Sequence, residues 1–287
     1  MKIRIFFFKL NEVLGQYLIY RFFRYIFRRL KENFISYLWK NSLVLKEKRS
    51  MISSFKNKHL GESIFIIGNG PSINSQDLNQ LKDKYTFACN AFYLKSETLD
   101  WRPTYYTVED IHPAFDNRKK IQDLEKETIF IPNDLSWMYK KKKNLFFINF
   151  ERSYLRPSNQ KFPSFSKDSS IINFWGSTVP YLCIQIAAYL GFKRIFLIGI
   201  DLTYSIPEDA KIVGNVITTK GKDPNHFDER YFGFGKKWHI PDTKLMNDSL
   251  VKAFRECKKN KIELVNCTEG GNLSDVPRMK FQDALKL

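Results

Sequence analysis

Two short segments place glycines and carboxamides where a phosphate or a sugar would be held. The first is Gly68-Asn69-Gly70-Pro71-Ser72, at the end of the apolar run 63–68. Glycines at 68 and 70 let backbone N–H groups come close to a phosphate, and the start of a following helix adds partial positive charge. Asn69 offers both a donor and an acceptor to a sugar or base edge. Ser72 is placed to cap that helix. The second segment, Cys89-Asn90-Ala91-Phe92-Tyr93, ends the next apolar run and brings another carboxamide to the same edge. Neither segment is G-x-G-x-x-G or a phosphate loop with its lysine, which weakens dinucleotide and kinase-type readings. Proton transfer near neutral pH suits histidine. His226 lies in Asp223-Pro224-Asn225-His226-Phe227, within a Gly-flanked segment, and is the first candidate for a base. His239, beside Trp238, is the second; His112, after Glu109-Asp110, is a candidate binding residue; His59 is given no role. Asn266 and Thr268 follow the last apolar run and are further candidates for ligand contact.

These side chains need a frame. Apolar runs at 63–68, 85–89, 104–108, 128–131, 145–148, 194–199 and 262–265 read as short buried strands. Residues 177–190 read as a helix stopped by Gly191, and 244–259 as a second, with Leu245, Leu250 and Phe254 for its inner face. Strands alternating with helices predict an α/β fold: a Rossmann-like, mainly parallel sheet with helices on both faces. Ligands of such sheets bind beyond the carboxyl ends of the strands. The pattern breaks down over about 203–242, which holds Gly214, Gly221, Gly233 and Gly235. A loop of that length in a compact domain predicts an active-site lid.

The charge is uneven. Residues 1–60 carry 14 Lys and Arg against 3 Glu, a net +11 of the chain's +17. Arg21, Arg24, Arg28 and Lys31 recur at helical steps beside Phe22, Phe23, Ile26, Phe27, Leu30 and Phe34. That pattern predicts an amphipathic basic helix lying on an anionic membrane, over a segment 1–61 that precedes a domain at 62–287. A nucleic-acid partner is disfavoured, because phenylalanines at this density find nothing to bury against on a duplex. The longest charge-free stretch there, Val13 to Tyr20, is too short to span a bilayer, and no secretory signal is read. Four scattered cysteines predict neither a disulfide framework nor a zinc site, in keeping with a reducing cytoplasm.

The blocks Ile67 to Ser72, Cys89-Asn90 with Phe92-Tyr93, Gly176-Ser177-Thr178 ahead of a helix, and Leu190 to Ile195 running through Gly199-Ile200-Asp201 form an ordered set. In order and spacing they resemble the bacterial sialyltransferases of glycosyltransferase family 42. They also resemble the 6-hydroxymethylpterin diphosphokinase-like proteins, which include surface-polysaccharide members. The resemblance covers roughly residues 62–280 and implies one Rossmann-like domain with a lid, no metal and no cofactor. It puts Gly68, Asn69, Gly70, Ser72, Asn90 and Asp201 in the donor-binding blocks. Ser177 and Thr178 would help to hold the donor's carboxylate or phosphate. His226 would be the base in the lid, with Tyr204 and Tyr231 steadying the departing phosphate. The chain departs from the sialyltransferases in reading Gly-Ser-Thr for Thr-Ser-Gly, and in placing Tyr204 one step from the expected position at Thr203. The stretches 223–238 and 266–271 are nearer to polysaccharide-type members of the diphosphokinase-like family.

The expected function is therefore a metal-independent glycosyltransferase at the cytoplasmic face of the plasma membrane. It would move an acidic sugar (sialic acid, another nonulosonate or a related 3-deoxy sugar) from a CMP-activated donor to a surface glycan or lipid-linked acceptor. The absence of any D-x-D fits, since a CMP leaving group carries one phosphate and needs less neutralisation than a diphosphate. The alternative is an ATP-dependent pyrophosphokinase, whose soluble pterin-like substrate gives no reason for a membrane-directed segment. A non-catalytic membrane adaptor is a third reading, disfavoured by His226 and the paired asparagines.

Overall fold

The computed structural model describes residues 41–152, 163–273 and 275–287, and within the first forty residues positions 23, 26, 27, 30, 34 and 37–39. The basic positions 21, 24, 28 and 31 of the expected membrane face lie outside the described residues.

Seven strands form the central sheet: β1 (Ser63–Ile67), β2 (Tyr85–Cys89), β3 (Tyr105–Thr107), β4 (Thr128–Pro132), β5 (Leu145–Ile148), then, after the short pair β6 (Phe150–Glu151) and β7 (Asn173–Phe174), β8 (Arg194–Ile198) and, last in the chain, β12 (Glu263–Asn266). The spatial order is β12-β8-β1-β2-β3-β4-β5, and every neighbouring pair is parallel. The chain steps outward from β1 to β5 and then returns to β8 on the other side of β1. This reversal opens a crevice beyond the carboxyl ends of β1 and β8, where ligands of such sheets bind.

The strands read as unbroken apolar runs because both faces are covered. On one face Ile64, Ile66, Phe87 and Phe130 pack against three helices, α1 (Leu43–Ser53), α2 (Val179–Leu190) and α3 (Thr243–Lys259). On the other, Phe65, Ile67, Tyr106 and Phe196 meet short helical turns, the lid and the C-terminal turn carrying Phe281. So the long helices gather on one face rather than being shared between two. α2 ends at Gly191, whose φ of +93° supplies the left-handed cap that a side chain resists. Because α2 feeds β8, its N-terminus lies at the carboxyl edge of the sheet, over β1 and β2. α3 is capped by Asp242, which accepts from the Leu245 N–H at 2.9 Å. Its buried residues are Met246, Ser249, Leu250, Ala253 and Cys257, so Leu250 faces inward as expected while Leu245 and Phe254 sit at the margins.

Two expectations need correction. The boundary at 61/62 cuts through packed structure: Ile52 and Phe55 belong to the core, and His59 is buried, stacked on Phe192 with ring centroids 4.6 Å apart. His59 also contacts the Tyr105 hydroxyl at 2.5 Å and Glu62 at 2.6 Å, so it clamps the start of the sheet. The close packing reaches back to Trp39, fully buried with its indole N–H on the Ser170 carbonyl at 2.9 Å. The expected loop at 203–242, in turn, contains a three-stranded antiparallel sheet, β9 (Lys211–Val213), β10 (Val216–Thr218) and β11 (Lys237–His239). Strands of three residues are too short to display an alternating pattern. The free side of β12 is closed at its end by the returning chain, with the Asn266 N–H on the Pro277 carbonyl at 2.7 Å and the Met279 N–H on the Asn266 carbonyl at 3.1 Å. All four cysteines are free and buried.

Candidate functional site

At the end of β1 the chain turns through Gly68-Asn69-Gly70, and at the end of β8 through Gly199-Ile200-Asp201. The two turns interlock. A Cβ at Gly68 would strike the Gly199 carbonyl, and one at Gly70 would strike the Asp201 carboxylate. These glycines serve the approach of two strands, which corrects their expected role in admitting a phosphate. Ser72 does not cap a helix; its hydroxyl donates to Asp201 Oδ2 at 2.9 Å. Burial pushes the Asp201 carboxyl up from its ordinary value, with the Ser72 bond opposing.

Asn69 and Asn90 follow the adjacent strands β1 and β2. Asn69 is buried, its Nδ2 directed at Cys89 Sγ at 3.2 Å. Asn90, with a φ of +54°, leaves β2 on a left-handed turn that Asn tolerates better than most residues. Asn69 Oδ1 and Asn90 Oδ1 are both buried without a hydrogen-bond partner among the described residues. A buried oxygen left bare is costly, so two side by side at a sheet edge call for donors from a ligand.

The lid closes over this edge. The Phe227 N–H donates to the Asn69 carbonyl at 3.0 Å, and Asn74 Nδ2 to the Phe227 carbonyl at 2.9 Å. Between these anchors Asp223 organises the turn: Oδ1 accepts from the Asn225 N–H at 2.8 Å and Oδ2 from the Phe232 N–H at 2.9 Å. Asp223 Oδ2 also meets His226 Nδ1 at 2.7 Å. A carboxylate only accepts, so Nδ1 carries a proton, and in the neutral imidazole Nε2 is the acceptor. The imidazole is stacked on Tyr231 at 3.9 Å and 5°, with Phe232 edge-on at 5.1 Å. Tyr204 stands 6.2 Å from the imidazole, ring centre to ring centre. Burial pushes the Tyr204 hydroxyl up to about 12, with Asp201 adding to the effect. Tyr204 as a residue is 36% exposed. Burial raises Tyr231 well above its ordinary value too, with the Asn90 carboxamide opposing. Both phenols therefore remain donors at neutral pH.

Asn69, Asn90, Asp201, Tyr204, Tyr231 and His226 thus form one cluster. Ser177 and Thr178 stand at the start of α2. Ser177 has a φ of +63°, and Thr178, at the cap position, makes no side-chain capping bond, so the first-turn N–H groups are not closed by it. Asn266 and Thr268 do not join the cluster. Asn266 donates to the Leu273 carbonyl at 3.0 Å and accepts from the Thr268 N–H at 3.0 Å, and Thr268 Oγ1 accepts from the Ile200 N–H at 3.0 Å. Their polar atoms fasten the end of β12 to its neighbours. His239 is 2.6 Å from Asp110 Oδ2 and 4.9 Å, ring to ring, from His112, where β11 meets the end of β3. Two residues of the site were not singled out from sequence: Asp223 and Cys89. Only Asp223 had a signal, its three-residue spacing from His226.

A Rossmann-like α/β sheet with a two-asparagine crevice under a histidine-bearing lid is the class of protein these features define. The sequence profile of the 6-hydroxymethylpterin diphosphokinase MptE-like family matches residues 35–207. The chain belongs to that family, as the order of its blocks predicts. No curated protein sequence matches it. Among solved structures it is similar to the MAf glycosyltransferase from Magnetospirillum magneticum AMB-1, at 16% identity and a TM-score of 0.48, covering 86% of this chain and 41% of that one. It is also similar to a mammalian sialyltransferase solved with Gal-beta-1-3GalNAc-ortho-nitrophenol, at 9% identity and a TM-score of 0.36, covering 84% and 86%. The chain thus spans well under half the length of the first. Among the described residues no helix is long and apolar enough to cross a membrane.

Proposed function

We propose that this chain is a glycosyltransferase that moves an acidic sugar from a CMP-activated donor to a hydroxyl of a surface glycan or lipid-linked acceptor. The observation that carries the reading is the Asp223–His226 pair, held against Tyr231 and beside Tyr204 over the bare oxygens of Asn69 and Asn90. His226 Nε2 takes the acceptor proton as the acceptor oxygen bonds to the anomeric carbon. The bond from that carbon to the phosphate oxygen breaks with its electron pair. The oxygen so charged receives hydrogen bonds from the Tyr204 and Tyr231 hydroxyls and faces the positive end of α2. Asn69 and Asn90 hold the donor, with Ser177 and Thr178 near its charged group. Asp201 and Asp223 stand close by, and two carboxylates tolerate a leaving monophosphate better than a triphosphate.

A second reading, an ATP-dependent pyrophosphokinase, is favoured by the description of the family itself. Thermal shifts with CMP, UDP and ATP, each with and without magnesium, separate the two. Selective stabilisation by CMP without metal supports glycosyl transfer; stabilisation by ATP only with magnesium overturns it.

The acceptor side of the proposal includes an anionic membrane. Ile26, Phe27, Leu30, Phe34 and Tyr37 are helical and between 40% and 76% exposed. At 100° per residue they fall on a stripe about 100° wide. Exposed rings and aliphatic chains in a strongly basic segment suit the interface of an anionic bilayer.

A further inference from the structure

We propose that Glu109 is a third side chain of the ligand crevice and reads a hydroxyl of the transferred sugar. The proposal rests on the glycosyl-transfer reading above.

β1, β2 and β3 are adjacent, and each is followed within two residues, at the carboxyl edge, by a polar residue: Asn69, Asn90 and Glu109. In all three an oxygen is buried with no hydrogen-bond partner among the described residues: Asn69 Oδ1, Asn90 Oδ1 and Glu109 Oε2. Neighbouring strands are about 4.8 Å apart, so the three residues stand in one row along the carboxyl edge. Glu109 is only 2% exposed, and among the described residues no ion pair holds its acid. The nearby guanidinium of Arg152 grips Asp134 instead, with Nε on Oδ2 at 2.7 Å and Nη2 on Oδ1 at 3.3 Å, and acts on Glu109 only through space. Asp110, Asp134 and, from α2, Cys183 are the other titratable groups in range. Burial pushes the Glu109 carboxyl up to about 8, with Arg152 opposing, so at pH 7 it is mainly a neutral acid.

A neutral carboxyl has one O–H to give and a carbonyl oxygen to receive. A sugar hydroxyl has the same two faculties and matches it. A phosphate or carboxylate has no hydrogen for the row's bare oxygens. The row therefore takes the hydroxyl-bearing part of the donor, and the start of α2 is left for the charged part.

The test compares Glu109→Gln with Glu109→Met in the full chain at pH 7. Gln keeps an accepting oxygen; Met has nearly the same length and no oxygen. Calorimetric affinities are measured for CMP against CMP-N-acetylneuraminic acid, and for UDP against UDP-N-acetylglucosamine. The expected result is nucleotide affinity unchanged in both variants, with the gain from the sugar kept by Gln and reduced about tenfold by Met, one buried hydrogen bond's worth. Glu109→Ala serves in place of Met should Met prevent folding. If Gln and Met behave alike, Glu109 only balances Arg152 and the proposal is overturned while glycosyl transfer stands. If neither nucleotide sugar binds the unaltered chain, both readings fall.

Discussion

His226 is stacked, half-buried and tied through Nδ1, so the role proposed for it is separate from the one proposed for the asparagines. His226→Ala is expected to lower kcat by roughly 10²- to 10⁴-fold, the usual contribution of a positioned base, with little change in nucleotide affinity. Asn69→Ala is expected to do the reverse. Steady-state kinetics and nucleotide titrations on both variants check the division; near-normal turnover by His226→Ala would move the role to His239. Glu109 gives a separate, pH-resolved expectation. Its carboxyl ionises near 4.5 in an unfolded chain but keeps its proton to about 8 when folded. Folding takes up a proton between those values, so the folded state loses stability as pH rises through that window. The loss is on the order of a few kcal/mol by pH 8. Glu109→Gln should raise the melting temperature at pH 8 and leave it nearly unchanged at pH 4.5; an equal shift at both would exclude a buried neutral acid. Much of this site is legible in residue types. Asn69, Asn90 and His226 stand out because carboxamides after apolar runs and a histidine among lid glycines are unusual. Glu109 is not legible, because a carboxylate ending a strand looks the same whether it meets solvent or is sealed in. The glycines misled for a related reason: sequence shows that Gly70 lacks a side chain, not that Asp201 fills the space.

The lid is the element whose form was least visible. Its strands are too short to show a period, and its order comes from contacts far along the chain. Trp238 Nε1 donates to Thr219 Oγ1 at 3.1 Å and stacks with Phe232 at 5.4 Å, while His239 meets Asp110. Burial alone would raise the Asp110 carboxyl, yet His239 holds it down at about 2, so it stays charged through the working range. Asp110→Asn keeps a cap oxygen for the His112 N–H but removes the charge facing His239. Amide hydrogen exchange across 211–239 is expected to quicken about tenfold in that variant, with β1, β2 and β8 unchanged. Equal exchange in the lid would mean that this contact does not hold it. The central strands, by contrast, were readable almost to the residue, because a sheet buried on both faces writes itself as continuous apolar runs.

At the scale of the molecule, the packed domain begins earlier than composition implies. α1 carries Lys46, Lys48 and Arg49 and looks continuous with the basic segment, yet Ile52, and Phe55 just beyond it, are core residues. A chain beginning just before Trp39 is expected to fold and to stop pelleting with anionic liposomes; one beginning at Ser54 is expected to lose the cooperative melting transition. Circular dichroism and sedimentation with phosphatidylserine vesicles check both, and undiminished pelleting of the first would remove the membrane from the proposal. The cover over β12 carries a consequence at the other end of the chain. Cutting before Pro277 would uncover the outer side of that strand and leave backbone groups ready to pair with a second molecule. The defect would then grow with protein concentration, as strand-to-strand polymerisation, and would spare a dilute sample.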